Sequence, residues 1–86
     1  MVVKKYFAPD NKFMAGDIRI RLGKQIRILR LKLSLTQEEL ADKSGISAKY
    51  LQNLEGKKPK TASLITLEKL AKGFGVPVWE IIRFKD

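Results

Sequence analysis

At 86 residues with a formal charge of +9, from 18 Lys and Arg against 9 Asp and Glu, the chain has room for one small domain and favours a polyanionic partner. Nucleic acid and an anionic membrane surface both qualify. Cysteine and histidine are absent, which excludes disulfides, the usual zinc sites and Ser-His or Cys-His nucleophile activation. Only carboxylate or lysine chemistry remains, and no carboxylate pair is arranged for it, so no enzyme, cofactor or metal is expected.

Residues 1–16, MVVKKYFAPDNKFMAG, mix Lys, Tyr, Phe, Pro and Gly without a period. They read as an amino-terminal arm before a domain at 17–86, and a short strand at 2–7 fits the same segment. The beginning lacks the apolar core of a signal peptide, and no apolar run approaches the ~20 residues that cross a bilayer. A cytoplasmic protein without a membrane partner is the expectation.

From Asp17, a helix cap by type, Ile18, Leu22, Ile26, Leu29 and Leu33 recur at helical spacing, with the basic Arg19, Lys24, Arg27 and Arg30 mostly off that stripe. Thr36 and Glu39 form a capping box for a second helix that starts at Gln37 and stops at Gly45. Ser47 caps a third, ending at Gly56 with the same left-handed closure. The loop KKPKT follows. Thr61 then caps a fourth helix with a stripe of Leu64, Leu67, Leu70 and Ala71 before the GFG stop at 73–75. Pro77 suits the first turn of a fifth, where Val78, Trp79, Ile81 and Ile82 offer more apolar surface than one helix face needs. The pattern is all-α, with five helices in one unit.

The second and third helices are too short to stand alone, so the glycine between them sets an angle. Their size is that of a helix-turn-helix. Leu51 and Leu54, with Ile46, face the core, while Ala48, Lys49, Gln52 and Asn53 fall largely on the other side. That outer face is small and polar. It suits the major groove, where amides pair bidentately with adenine and lysine reaches guanine, and it equally fits an ordinary solvated face.

Over residues 22–82 the chain resembles the lambda-repressor-like helix-turn-helix family of Xre or Cro/repressor type. The likeness rests on LGKQIRILR, LTQEELADKSGIS, YLQNLEGKK and SLITLEKLAKGFGVPVWEII, in that order. The resemblance implies a sequence-specific regulator of transcription that binds double-stranded DNA, usually as a homodimer on a palindrome. It places Ala48, Lys49, Gln52 and Asn53 at base-facing positions, with Ala48 limited to a methyl contact. Gln37 resembles the family glutamine that touches a phosphate and braces the recognition helix, residues 47–55. Arg30 and Glu55 stand where the family pairs an Arg and a Glu. Lys24 and Ser47 are assigned to phosphate. Tyr50, similar to a Tyr of restriction-modification controllers, either joins them or packs against the second helix. Lys57, Lys58 and Lys60 read as phosphate contacts or as solvated loop charges. Trp79, Ile82 and Phe84 read as a dimer patch or as closure of the monomer core.

Two departures stand out. Ser34 replaces the usual glycine after the first helix, and the loop GKKPKTAS is about two residues longer than the family's common form. The alternative function is an antitoxin-type module that binds a toxin and regulates its own operon. A partner in the transcription machinery is a further expectation.

Overall fold

The computed structural model describes residues 17–84. Five helices follow one another there: α1 (Ile18–Lys32), α2 (Gln37–Ser44), α3 (Ala48–Leu54), α4 (Leu64–Phe74) and α5 (Val78–Ile81), with no strand among the described residues. The expected arm at 1–16 and strand at 2–7 lie outside the described residues.

Asp17 opens α1 because its carboxylate accepts the Arg19 backbone N–H at 2.8 Å, giving a first-turn donor its partner. The Arg19 guanidinium closes on the same carboxylate, Nη2 to Oδ2 at 2.6 Å. That side-chain bond does most to hold the Asp17 carboxyl at about 2, so the cap stays an acceptor until the pH falls through that value. On the buried face of α1 stand Leu22, Gly23, Ile26 and Arg30. The ends of the expected stripe do not join them, since Ile18 and Leu33 are 64% and 52% exposed. Helix α1 packs against α3 and α5, and Ile18 and Leu33 lie outside that contact.

The core draws on every helix. Ile26, Leu40, Leu51, Leu54, Leu70 and Ile81 come from α1 to α5 in turn, each fully buried. A side chain of this size contributes about 1.5–3 kcal/mol when removed from water, which is what keeps the seven-residue α3 helical. Helix α2 packs on α3 and α4, and α4 on α5.

Four sequence expectations are corrected. Ser63, not Thr61, caps α4: its Oγ accepts the Thr66 N–H at 3.1 Å. Both are competent caps by type, and the chain from Lys60 to Ala62 stays outside the helix. Leu64 therefore sits in the first turn, 81% exposed, and Thr66 takes its place on the buried face. Of the GFG stop, only Gly75 is left-handed, at φ 72°. Gly73 lies inside α4 against Ser44, where a Cβ would strike the Ser44 hydroxyl. Gly56 is not left-handed either; α3 ends on Glu55 in right-handed geometry. Pro77 is the residue before α5, not part of its first turn.

The non-glycine left-handed position among the described residues is Ser34, at φ 56°, where the family likeness has its usual glycine. It closes α1 by letting Leu35 N–H reach back to the Arg30 carbonyl at 3.1 Å. A side chain in that region costs about 1–2 kcal/mol, part of which glycine returns through its looser unfolded chain. Ser34→Gly is therefore expected to raise stability by about 0.5–1 kcal/mol in urea denaturation at unchanged m value. No gain, or a loss, would show that the serine side chain contributes something this geometry does not reveal.

Candidate nucleic-acid interface

Local chemistry fixes the path from α2 into α3. The Thr36 hydroxyl accepts the Glu39 N–H at 3.0 Å while the Glu39 carboxylate accepts the Thr36 N–H at 2.8 Å, completing the capping box. These bonds hold the Glu39 carboxyl below its ordinary range. Gly45, at φ 72°, ends α2, and Ile46 N–H returns to the Ala41 carbonyl at 3.1 Å. Ser47 Oγ accepts the Tyr50 N–H at 3.0 Å and starts α3. With Leu51 and Leu54 pinned in the core, the opposite face of α3 has one direction in which to point.

A buried polar cluster braces that direction. Arg30, 8% exposed, donates Nε and Nη2 to the two carboxylate oxygens of Glu55, both at 2.9 Å. Its Nη1 donates to the Leu35 carbonyl at 2.9 Å. Gln37 Nε2 donates to Glu55 Oε1 at 3.1 Å, so α1, the start of α2 and the end of α3 meet at one carboxylate. The bond to Glu55 raises the Arg30 pKa further above its ordinary value. Beside it, Gly23 meets the Leu54 carbonyl so closely that a Cβ would collide with backbone.

On the outer face Lys49 and Gln52 are exposed, and Ala48 is half-buried against the core. Asn53 is half-buried, and its Oδ1 accepts the Lys60 N–H at 2.8 Å through one of that oxygen's two lone pairs, which ties the end of α3 to the loop. Tyr50 packs on the core, its hydroxyl 3.4 Å from Thr66 Oγ1 of α4. Ser47 is exposed, its oxygen engaged as the cap, with the hydroxyl proton left to donate. Gln37 keeps one amide proton beyond the bond to Glu55. Lys24 is exposed on α1, flanking the contact that Gly23 makes with α3.

Lys57, Lys58 and Lys60 surround the buried Pro59, all three exposed. Lys57, Lys58 and Pro59 share a groove with Asp17, Arg19 and Ile20 at the start of α1. That brings Arg19 to the lysine loop, a juxtaposition with no signal in the sequence because 38 positions separate Arg19 from Lys57. On the other flank Glu38, Glu39 and Asp42 line a hollow with Ala48. The charge around α3 is thus polarised, cationic beyond its carboxyl end and anionic along α2. No cluster of His, Asp or Glu able to hold a metal occurs among the described residues, and none of their helices is long and apolar enough to cross a membrane.

Away from this face, Trp79 and Ile82 are 57% and 46% exposed. Phe84 is half-buried against the core, with the Arg21 guanidinium 4.8 Å from its ring centroid. It is thus mainly a monomer contact. Gln25 Nε2 donates to the Glu80 and Arg83 carbonyls, each at 3.2 Å, and fastens the end of α5 to α1. Ile28, half exposed on α1, lines the adjoining hollow with Glu80 and Arg83.

The helix-turn-helix family model matches residues 26–79. The uncharacterized HTH-type transcriptional regulator y4dJ of Sinorhizobium fredii is 38% identical over 70 residues, covering 81% of this chain and 90% of that protein. Among solved structures, the restriction-modification controller protein C.AhdI from Aeromonas hydrophila superposes with a TM-score of 0.69 at 30% identity, over 73% of this chain and 94% of its own. The controller C.Esp1396I bound to a 19 base pair DNA duplex gives a TM-score of 0.69 at 26% identity, over 78% of this chain and 92% of its own.

The Glu55 cluster makes a direct prediction. Glu55→Ala leaves the Arg30 charge buried with only the Leu35 carbonyl, and should cost about 3–5 kcal/mol of stability. Replacing Arg30 and Glu55 together by Met and Leu should cost much less than Glu55→Ala alone, because no stranded charge remains. Equal losses, measured by denaturant melts, would mean that packing rather than charge carries the pair.

Proposed function

The chain belongs to the helix-turn-helix family of HTH-type transcriptional regulators, and on that premise we propose that it binds double-stranded DNA sequence-specifically, with α3 in the major groove. The carrying observation is the outer face of α3, where Lys49 and Gln52 stand exposed on a helix whose opposite side is locked into the core. Lysine can donate to guanine, and the glutamine amide can pair with adenine. In this reading Ala48 adds a methyl contact. Gln37, Ser47, Lys24, Lys57, Lys58 and Lys60 meet phosphates. Tyr50, with its hydroxyl turned to Thr66, serves chiefly to seat α3. The binding unit spans 17–86, with 1–16 as its arm.

A single small domain reads one half-site, so we assign it a homodimer on a palindrome, the paired α3 helices about 34 Å apart. Exposed Trp79 and Ile82 support this, since a large flat side chain can anchor a small interface. Phe84, half-buried against the core, contributes less to this interface.

On a duplex enriched from a random pool, Lys49→Ala and Gln52→Ala should each lose about 1–3 kcal/mol of binding while affinity for unselected DNA holds. Losses of the same size on both DNAs would refute base readout. For assembly, analytical ultracentrifugation should find a dimer at micromolar concentration that Trp79→Ala or Ile82→Asp converts to a folded monomer with weakened operator binding. A wild type that sediments as a monomer at every concentration removes the dimer from the proposal.

A further inference from the structure

The loop between α3 and α4 carries Lys57, Lys58 and Lys60. It lacks regular structure from 56 to 62, yet it is tied at defined points. The Asn53 carbonyl accepts the Gly56 N–H at 3.0 Å, and the Asn53 side chain accepts the Lys60 N–H at 2.8 Å. One residue in the last turn of α3 thus grips both the beginning and the far side of the lysine run. Between the two grips Pro59 is buried, and it has no N–H that needs a partner. Lys57 and Lys58 flank the α1 groove while Lys60 continues toward α4.

We infer that Asn53 is a positioning residue: it holds the Lys57, Lys58 and Lys60 loop in register with the exposed face of α3, so that phosphate contact and base readout are delivered by one rigid unit. The inference rests on the DNA-binding reading above. Its physical basis is entropic. A free loop must be ordered when its lysines meet phosphates, whereas a loop already gripped by Asn53 has met that cost in folding. The bond also turns the Asn53 side chain toward the loop, and Asn53 is half-buried where Lys49 and Gln52 are exposed, so hydrogen-bonded readout falls chiefly to those two.

Two measurements test this, the first without DNA. By NMR hydrogen exchange the Lys60 amide should be protected in the wild type, should exchange about three- to tenfold faster in Asn53→Ala, and should stay protected in Asn53→Asp, which keeps the acceptor. An unprotected Lys60 amide in the wild type, or protection unchanged by Asn53→Ala, overturns the proposal. The second measurement is binding to a short duplex of random sequence. There Asn53→Ala should lose about three- to tenfold in affinity, and should lose nothing further when Lys57, Lys58 and Lys60 are already alanine. A merely structural defect would persist in the alanine background, and a base-reading Asn53 would leave random-sequence affinity untouched. Either result overturns positioning. A wild type that fails to bind any duplex refutes the proposed function instead, and the exchange data then decide the grip on the loop by themselves.

Discussion

A carboxylate withdrawn from water is tolerable only where its charge is met, and Glu55 is met from two directions. Arg30 approaches with both arms of its guanidinium, Gln37 with one amide proton, and the remaining Arg30 donor finds the Leu35 carbonyl. Every partner sits at an end: the last turn of α1, the first residue of α2, the cap of α3. Helix termini are where backbone groups lack partners and where a small bundle frays most easily. The cluster clamps three of them at once. Net stabilisation from such a pair is small, because desolvation cancels most of the attraction. Its value lies in geometry, since any other crossing of α1, α2 and α3 strands a charge. The direction in which α3 presents its outer face depends on that constraint.

Close backbone approach does the rest. Gly23 lets α1 touch the Leu54 carbonyl, and Gly73 lets α4 settle on Ser44. Neither contact has room for a Cβ, so the α1–α3 and α2–α4 distances are set by the absence of side chains. The second contact has a cost, because the Ser44 hydroxyl is buried without a hydrogen-bond partner. Such a group typically forfeits about 1–3 kcal/mol. Dense packing between α2 and α4 is where the compensation comes from: Leu40, Ala41, Leu67, Leu70 and Ala71 are all buried.

With the scaffold determined in this way, the polar residues around α3 divide by whether they are already engaged. Glu55, Arg30 and the Tyr50 hydroxyl have partners inside the fold, and the Asn53 oxygen is held by the loop. Lys49, Gln52, Lys57, Lys58 and Lys60 carry exposed side chains. The net charge of +9 therefore acts locally, because the acidic side chains of Glu38, Glu39 and Asp42 gather along α2 while the loop lysines gather beyond the other end of α3. Such a separation of charge presents a polyanion with an attractive end and a repulsive flank.

Periodicity, capping chemistry and composition made the helices and the turn legible in the sequence alone. Thr36, Glu39, Gly45 and Ser47 act through neighbours within five positions, so their roles are visible to anyone reading along the chain. The family likeness likewise placed Arg30 opposite Glu55, which spacing could not do. What remained hidden depends on distance through space. Thr61 and Ser63 are equal as caps by type, and the folded chain uses Ser63. Gly73 reads as a stop until Ser44 is seen against it, and Phe84 reads as dimer patch or core closure until its ring is seen packed on the core beside Arg21. That the Asn53 oxygen holds a loop seven residues away is likewise seen only in three dimensions. Local patterns record what each residue prefers; only the tertiary structure decides which preferences are already satisfied, because the partners that satisfy them come from distant parts of the chain.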